Sequence, residues 1–152
     1  MNALMFLVIF LIMLTLVGVG IYLYLYQFLF RKPKNNPLVY INQPKNKKRI
    51  VFAGDSLTCG NMSADYTQII KHTLGNDYEY INAGVNADLS YNLLSRLEEI
   101  INCNPDYIII LIGTNDANAT LNKRNKEIYQ KLKNLPHPPS IFEYEENLQN
   151  II

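Results

Sequence analysis

The residues best equipped for chemistry are Asp55 and Ser56, which the run Ile50-Val51-Phe52-Ala53-Gly54 delivers into the stretch Leu57-Thr58-Cys59-Gly60. A serine hydroxyl can attack an acyl carbonyl when a base takes its proton and hydrogen-bond donors face the oxygen that gains charge. Two later stretches could supply such donors. Gly84, in Asn82-Ala83-Gly84, offers an unobstructed backbone N–H, and Asn115, in Gly113-Thr114-Asn115-Asp116, offers a side-chain amide; the backbone N–H of Ser56 would be a third. Each residue also has a plainer reading. Ser56 and Thr58 could cap a turn, Gly84 could be a turn glycine, and Asn115 could bond its own backbone. Chemistry is indicated only if the fold brings them to one place.

The elements that must position them alternate strand and helix from Arg49 onward. The apolar run ending at Gly54 reads as a buried strand. A helix capped by Ser63 follows, with Tyr66, Ile69, Ile70, Thr73 and Leu74 on one face and Gly75 at its end. A second strand, Tyr78 to Asn82, reaches the turn at Gly84. Leu93, Leu94, Leu97, Ile100 and Ile101 recur at helical spacing until Asn104-Pro105-Asp106 breaks the pattern. The third strand, Tyr107 to Ile112, is unbroken in its apolar character and is expected to be buried on both faces. The three strands deliver Ser56, Gly84 and Asn115 to the carboxyl edge of one sheet, where ligands bind in open α/β folds.

In that order and on those elements, Gly54-Asp55-Ser56-Leu57, Asn82-Ala83-Gly84 and Gly113-Thr114-Asn115-Asp116 resemble the GDSL or SGNH hydrolase family of esterases and lipases, over about Arg49 to Asp116. The resemblance implies an α/β fold, a three-layer α/β/α sandwich on a parallel flavodoxin-like sheet. It implies Ser56 as nucleophile, with Gly84 and Asn115 completing an oxyanion hole. It also implies acyl-ester substrates of lipids, sugars or small alcohols, cleaved through a serine acyl-enzyme with no metal or organic cofactor. The family's Asp-x-x-His block has no counterpart: Ile69 stands three residues before His72, and Asn134 before His137. His72 lies off the apolar face of its helix, and His137 sits between two prolines. Ser140-Ile141-Phe142-Glu143 then opens a helix whose stripe Ile141, Tyr144, Leu148, Ile151 and Ile152 runs to the last residue. With sheet order 2-1-3 the third strand would be an open edge, so the domain is expected to be C-terminally truncated.

No charged residue occurs from Ala3 to Phe30, a stretch longer than the ~20 residues a helix needs to cross a bilayer. Tyr22, Tyr24 and Tyr26 near its end suit the headgroup level. The expected organisation is a transmembrane anchor over 1–30, a basic proline-containing tether over 31–48 and the hydrolase-like domain over 49–152. Arg31, Lys32 and Lys34, with Lys45, Lys47, Lys48 and Arg49 beyond, favour a cytoplasmic soluble part by the positive-inside rule, whereas family habit favours an outward one. The membrane is thus an expected partner. A formal net charge of +1 over 152 residues gives no reason to expect a nucleic-acid partner. Lys123, Arg124, Lys126 and Lys131, in the polar excursion Asn118 to Pro139, read as a solvated face near the active edge.

Two other readings stay open. One keeps the family resemblance without catalysis, as a membrane-tethered binding or vestigial protein. The other takes Ser56 to Asn61 as a flavodoxin-like phosphate loop, which leaves the block at Gly113 unexplained and sets the Asp55 carboxylate beside a phosphate.

Overall fold

The computed structural model describes Ala3 to Ile152, and the chain divides into two units, one ending at Arg31 and the other spanning Lys32–Ile152. The first unit is α1 (Ala3–Phe30), a single apolar helix with none of its membrane-length window buried.

The second unit is built on β1 (Lys48–Gly54), β2 (Tyr78–Gly84) and β3 (Tyr107–Leu111), a parallel sheet in the order β2-β1-β3. β1 is the middle strand, and from Arg49 onward every residue of it is buried. Its alternate side chains serve two layers, because successive strand residues point to opposite faces. Val51 and Ala53 join Ile81 and Ala83 of β2 in a core with Leu93, Ile100, Cys103 and Ile151. Those last residues belong to α5 (Ser90–Ser95), α6 (Leu97–Ile101), the turn after it and α9 (Ile141–Ile151). Ile50, Phe52 and Tyr80 pack on the other face against Tyr66 and Ile70 of α4 (Tyr66–Leu74). There the Phe52 and Tyr66 rings meet edge to face with centroids 5.8 Å apart. The expected sandwich is therefore present: a parallel sheet with helices on both faces.

Several local expectations shift. α4 is capped by Asp65 rather than Ser63: Asp65 Oδ1 accepts from the N–H groups of Thr67 (3.0 Å) and Gln68 (3.2 Å). Ile69 and Leu74 point outward, since so short a helix covers only part of one strand pair. The single helix expected over Leu93 to Ile101 is interrupted at Arg96 (φ −116°, ψ 16°), whose guanidinium is used elsewhere. Gly75 (φ 74°) ends α4, and Ser140 Oγ accepts from Glu143 N–H (3.2 Å) at the start of α9, both as anticipated.

β3 overturns the expectation of burial on both faces. All five residues are exposed, from 36% at Ile110 to 50% at Tyr107. Burial is set by neighbours. At the sheet edge, β3 pairs with β1 alone among the described residues.

The segment before β1 is packed rather than an extended tether. Asn35 runs along β2, accepting from Asn82 N–H (2.9 Å) and donating its amide to Tyr80 O (2.8 Å). The short helix α2 (Pro37–Tyr40) follows. Arg49, counted in the basic cluster after the apolar stretch, is 2% exposed. It donates to Glu79 Oε2 (2.6 Å) and to the carbonyls of Cys103 (2.7 Å), Gln43 (3.2 Å) and Pro44 (3.3 Å), and so ties that segment to the sheet.

Candidate active site

Where β1 ends, the chain must turn within a crowded space. A Cβ on Gly54 would lie 2.2 Å from Leu111 O and 2.3 Å from Thr58 Oγ1, so only glycine fits. The next residue, Asp55, is 1% exposed and caps α3 (Ser56–Cys59), a single turn, by accepting from Leu57 N–H at 2.9 Å. Burial pushes the Asp55 carboxyl above its ordinary range; the Leu57 bond offsets part of this, and the nearby Asp88 and Asp116 charges add to it. Ser56 is thereby set at the first position of α3, half-buried, its Oγ making no hydrogen bond among the described residues. The same cap bears on the phosphate-loop reading. The Leu57 N–H that would face a phosphate is already occupied by a carboxylate.

Asn115 arrives from β3 on the second residue of α7 (Thr114–Thr120) and is 8% exposed. Its Nδ2 donates to Asp88 O at 2.9 Å and, more weakly, to Asp55 Oδ2 at 3.4 Å, so its carboxamide lies beside the turn that carries Ser56. Asn115 Oδ1 accepts from the hydroxyl of Tyr129, 2.9 Å away on α8 (Lys123–Leu132).

Gly84 differs from expectation. Its N–H is not unobstructed, because it donates to Asn82 Oδ1 at 2.9 Å. A Cβ there would come within 2.1 Å of Cys59 N, so the glycine is needed for the close approach of β2 to α3. Asn82 completes that junction through Nδ2 to Thr58 O at 2.7 Å. The turn beyond it, closed by Asp88 N–H to Val85 O (3.2 Å), holds Ala87 at φ 60°, and the Ala87 N–H meets no acceptor among the described residues. A left-handed alanine is strained by roughly 1–2 kcal/mol. An alanine in the sequence carries no signal of a positive φ, so this N–H is not legible there.

That turn is clamped by charge. The Asp88 carboxylate, 3% exposed, takes Arg96 Nε at 2.8 Å and Lys133 Nζ at 2.6 Å. Arg96 also donates to Gly54 O (3.1 Å), and Lys133 to Asn86 O (3.1 Å). Arg96, Tyr129 and Lys133 were not singled out in the sequence; the excursion that carries the last two looked like a solvated face. One cue was present: Tyr129 and Lys133 are four residues apart, the spacing that puts two side chains on one side of a helix. Beneath, buried Asp116 accepts from Ser90 N–H (3.1 Å) and Oγ (2.6 Å). Burial raises the Asp116 carboxyl, with the Ser90 bonds offsetting part.

Neither histidine joins this cluster. His72 is exposed on α4, and His137 pairs with Glu143 (3.2 Å) with more than half its side chain exposed. Among the described residues no group of His, Cys, Asp and Glu could hold a metal ion.

Comparison with solved structures finds AlinE4, an SGNH-hydrolase family esterase, at 24% identity and TM-score 0.45, covering 72% of this chain and 53% of that one. It also finds the acetyl xylan esterase AlAXEase, at 24% identity and TM-score 0.47, covering 68% and 50% respectively. A catalytic mutant of the acetylxylan esterase Axe2 from Geobacillus stearothermophilus matches at 20% and TM-score 0.49, covering 68% and 52%. The chain thus spans about half the length of these proteins. No curated protein sequence matches it significantly. The model of the GDSL-like lipase/acylhydrolase family matches residues 52–152, from the middle of β1 through the turn of Ser56 and the block of Asn115 to the last residue, and the chain belongs to that family.

Proposed function

We propose that the chain acts on acyl esters through Ser56. The observation that carries this reading is the setting of Ser56: an Oγ without a hydrogen-bond partner among the described residues, at the start of α3, on a turn that the Asn115 amide touches. In this reading Ser56 Oγ adds to the ester carbonyl carbon, and the electron pair of the C=O bond moves to oxygen. The bond to the alcohol then breaks and the alcohol leaves with a proton. Water cleaves the resulting acyl-serine, which releases the carboxylic acid and restores Ser56. The Ser56 N–H and the Asn115 amide donate to the transient oxyanion. The third donor is the uncommitted N–H of Ala87, and Gly84 serves by letting β2 close on α3. The Ser56 proton needs a base within hydrogen-bond reach, and no described residue occupies that place.

The reading of α1 as a membrane span rests on its length and on a mean hydropathy of 2.9; a signal sequence would pass the same test. Retention of α1 in a carbonate-resistant membrane fraction supports the span, and its removal from the mature chain overturns it.

The chemistry is tested on the full chain in detergent micelles, by labelling with a fluorophosphonate with and without imidazole as an added base. Labelling at Ser56 that imidazole accelerates, and that Ser56→Ala abolishes, supports the ester-hydrolase reading. Folded protein that stays unlabelled in both conditions overturns it and favours the binding or vestigial alternative. Hydrolysis of p-nitrophenyl esters of increasing chain length then reads the acyl preference.

A further inference from the structure

We propose that Tyr129 is a positioning residue for Asn115, holding its carboxamide with the NH2 group turned toward the turn of Ser56. The proposal rests on the ester-hydrolase reading above. It starts from an accounting of one buried amide, which has two acceptor sites and two donor hydrogens. Both hydrogens face acceptors on the site side, Asp88 O at 2.9 Å and Asp55 Oδ2 at 3.4 Å, while Oδ1 points away and meets the Tyr129 hydroxyl at 2.9 Å. Asn115 is only 8% exposed, so water is a poor substitute for that hydroxyl. Without it a buried carbonyl oxygen loses its donor, and the amide is freed to tilt or turn in search of another.

The donor is itself held. Tyr129 packs with Leu89, Ala119 and Leu135, a small core under α7 and α8. One turn further along the chain, Lys133 binds Asp88 Oδ1 at 2.6 Å and Asn86 O at 3.1 Å. The end of α8 therefore grips both partners of one hydrogen bond: Tyr129 takes Asn115 from behind, and Lys133 takes the turn whose carbonyl receives Asn115 Nδ2. An oxyanion donor works by being aimed before the charge develops, and the Nδ2 bond to Asp88 O leaves the hydrogen directed at Asp55 as the one available to an oxyanion beside Ser56. A small tilt of the amide misaims it.

The test uses the full chain in detergent micelles and four proteins: wild type, Tyr129→Phe, Asn115→Ala and the double variant. Phenylalanine keeps the ring and its packing and removes only the hydroxyl. The first readout is the rate of fluorophosphonate labelling at Ser56; the second is the side-chain amide signal of Asn115 in a 1H–15N correlation spectrum. The expected result is a melting midpoint within a few degrees of wild type and labelling slowed roughly 5- to 10-fold, about the worth of one hydrogen bond. Asn115→Ala slows labelling by about 10²- to 10³-fold, and adding Tyr129→Phe to it changes nothing further, because the hydroxyl acts through Asn115 alone. The Asn115 amide signals shift or broaden in Tyr129→Phe. The proposal is overturned if Tyr129→Phe labels at the wild-type rate, if it slows the Asn115→Ala protein by the same factor, or if the amide signals do not move. Wild-type protein that is not labelled at Ser56 either without or with imidazole defeats the ester-hydrolase reading, and the amide signals alone then decide whether Tyr129 orients Asn115.

Discussion

Lys133 and Asp88 form an ion pair at 2.6 Å with both side chains largely out of water, at 13% and 3% exposure. The pair joins the polar excursion after α7 to the turn between β2 and α5, two regions that no local sequence signal connects. Asp88 has a second cation in Arg96, so this turn is held from both sides.

Replacing Lys133 by Met tests the clamp. Breaking a buried pair from one side usually costs 3–5 kcal/mol because a charge is stranded. Arg96 still neutralises Asp88 here, so the expected loss is smaller, about 2 kcal/mol. A lowered melting midpoint, together with slower labelling at Ser56, is the expected outcome. An unchanged midpoint would show that Arg96 suffices.

Asp116 should make stability fall as pH rises. Its carboxyl is raised by burial above the ordinary 3.8, so the folded chain binds that proton more tightly than the unfolded chain does. A group raised in the folded state adds stability below the unfolded value and loses it as pH climbs through the folded one. The difference in stability between wild type and Asp116→Asn should therefore shift in favour of Asn from about pH 3.8 upward, until Asp116 is fully ionised in the folded chain. Denaturant titrations of both proteins across that range read it; parallel curves would mean that the Ser90 bonds cancel the burial penalty.

Gly84 and Ala87, three residues apart, should respond to substitution with opposite signs. Gly84→Ala puts a methyl 2.1 Å from Cys59 N, a backbone atom that cannot step aside, and should cost more than about 3 kcal/mol or prevent folding. Ala87→Gly relieves a φ of 60°, and after the extra entropy of an unfolded glycine it should stabilise by about 0.5 kcal/mol. Melting midpoints check both. If Gly84→Ala melts like wild type, β2 is not seated against α3 as described.

Local signals were enough for the strands and for several caps. An apolar run stopping at Gly54, a glycine after α4 and a serine before α9 each act through the nearest few residues, so the sequence alone places Ser56 and Asn115 at the carboxyl ends of β1 and β3. What it could not say was which groups those ends would meet. Tyr129 on Asn115, Lys133 and Arg96 on Asp88, Asn35 along β2 and Arg49 on Glu79 are pairings that no local pattern connects, and composition shows them only as polar residues. Gly84 and Ala87 show the same divide. The sequence offers a glycine as the free donor, yet the close approach of α3 uses that glycine for space and Asn82 takes its N–H, while the strained turn leaves the alanine N–H open. The exposure of β3 was likewise decided by its place in the sheet, because an apolar run states only that burial is affordable, and neighbours determine whether it occurs.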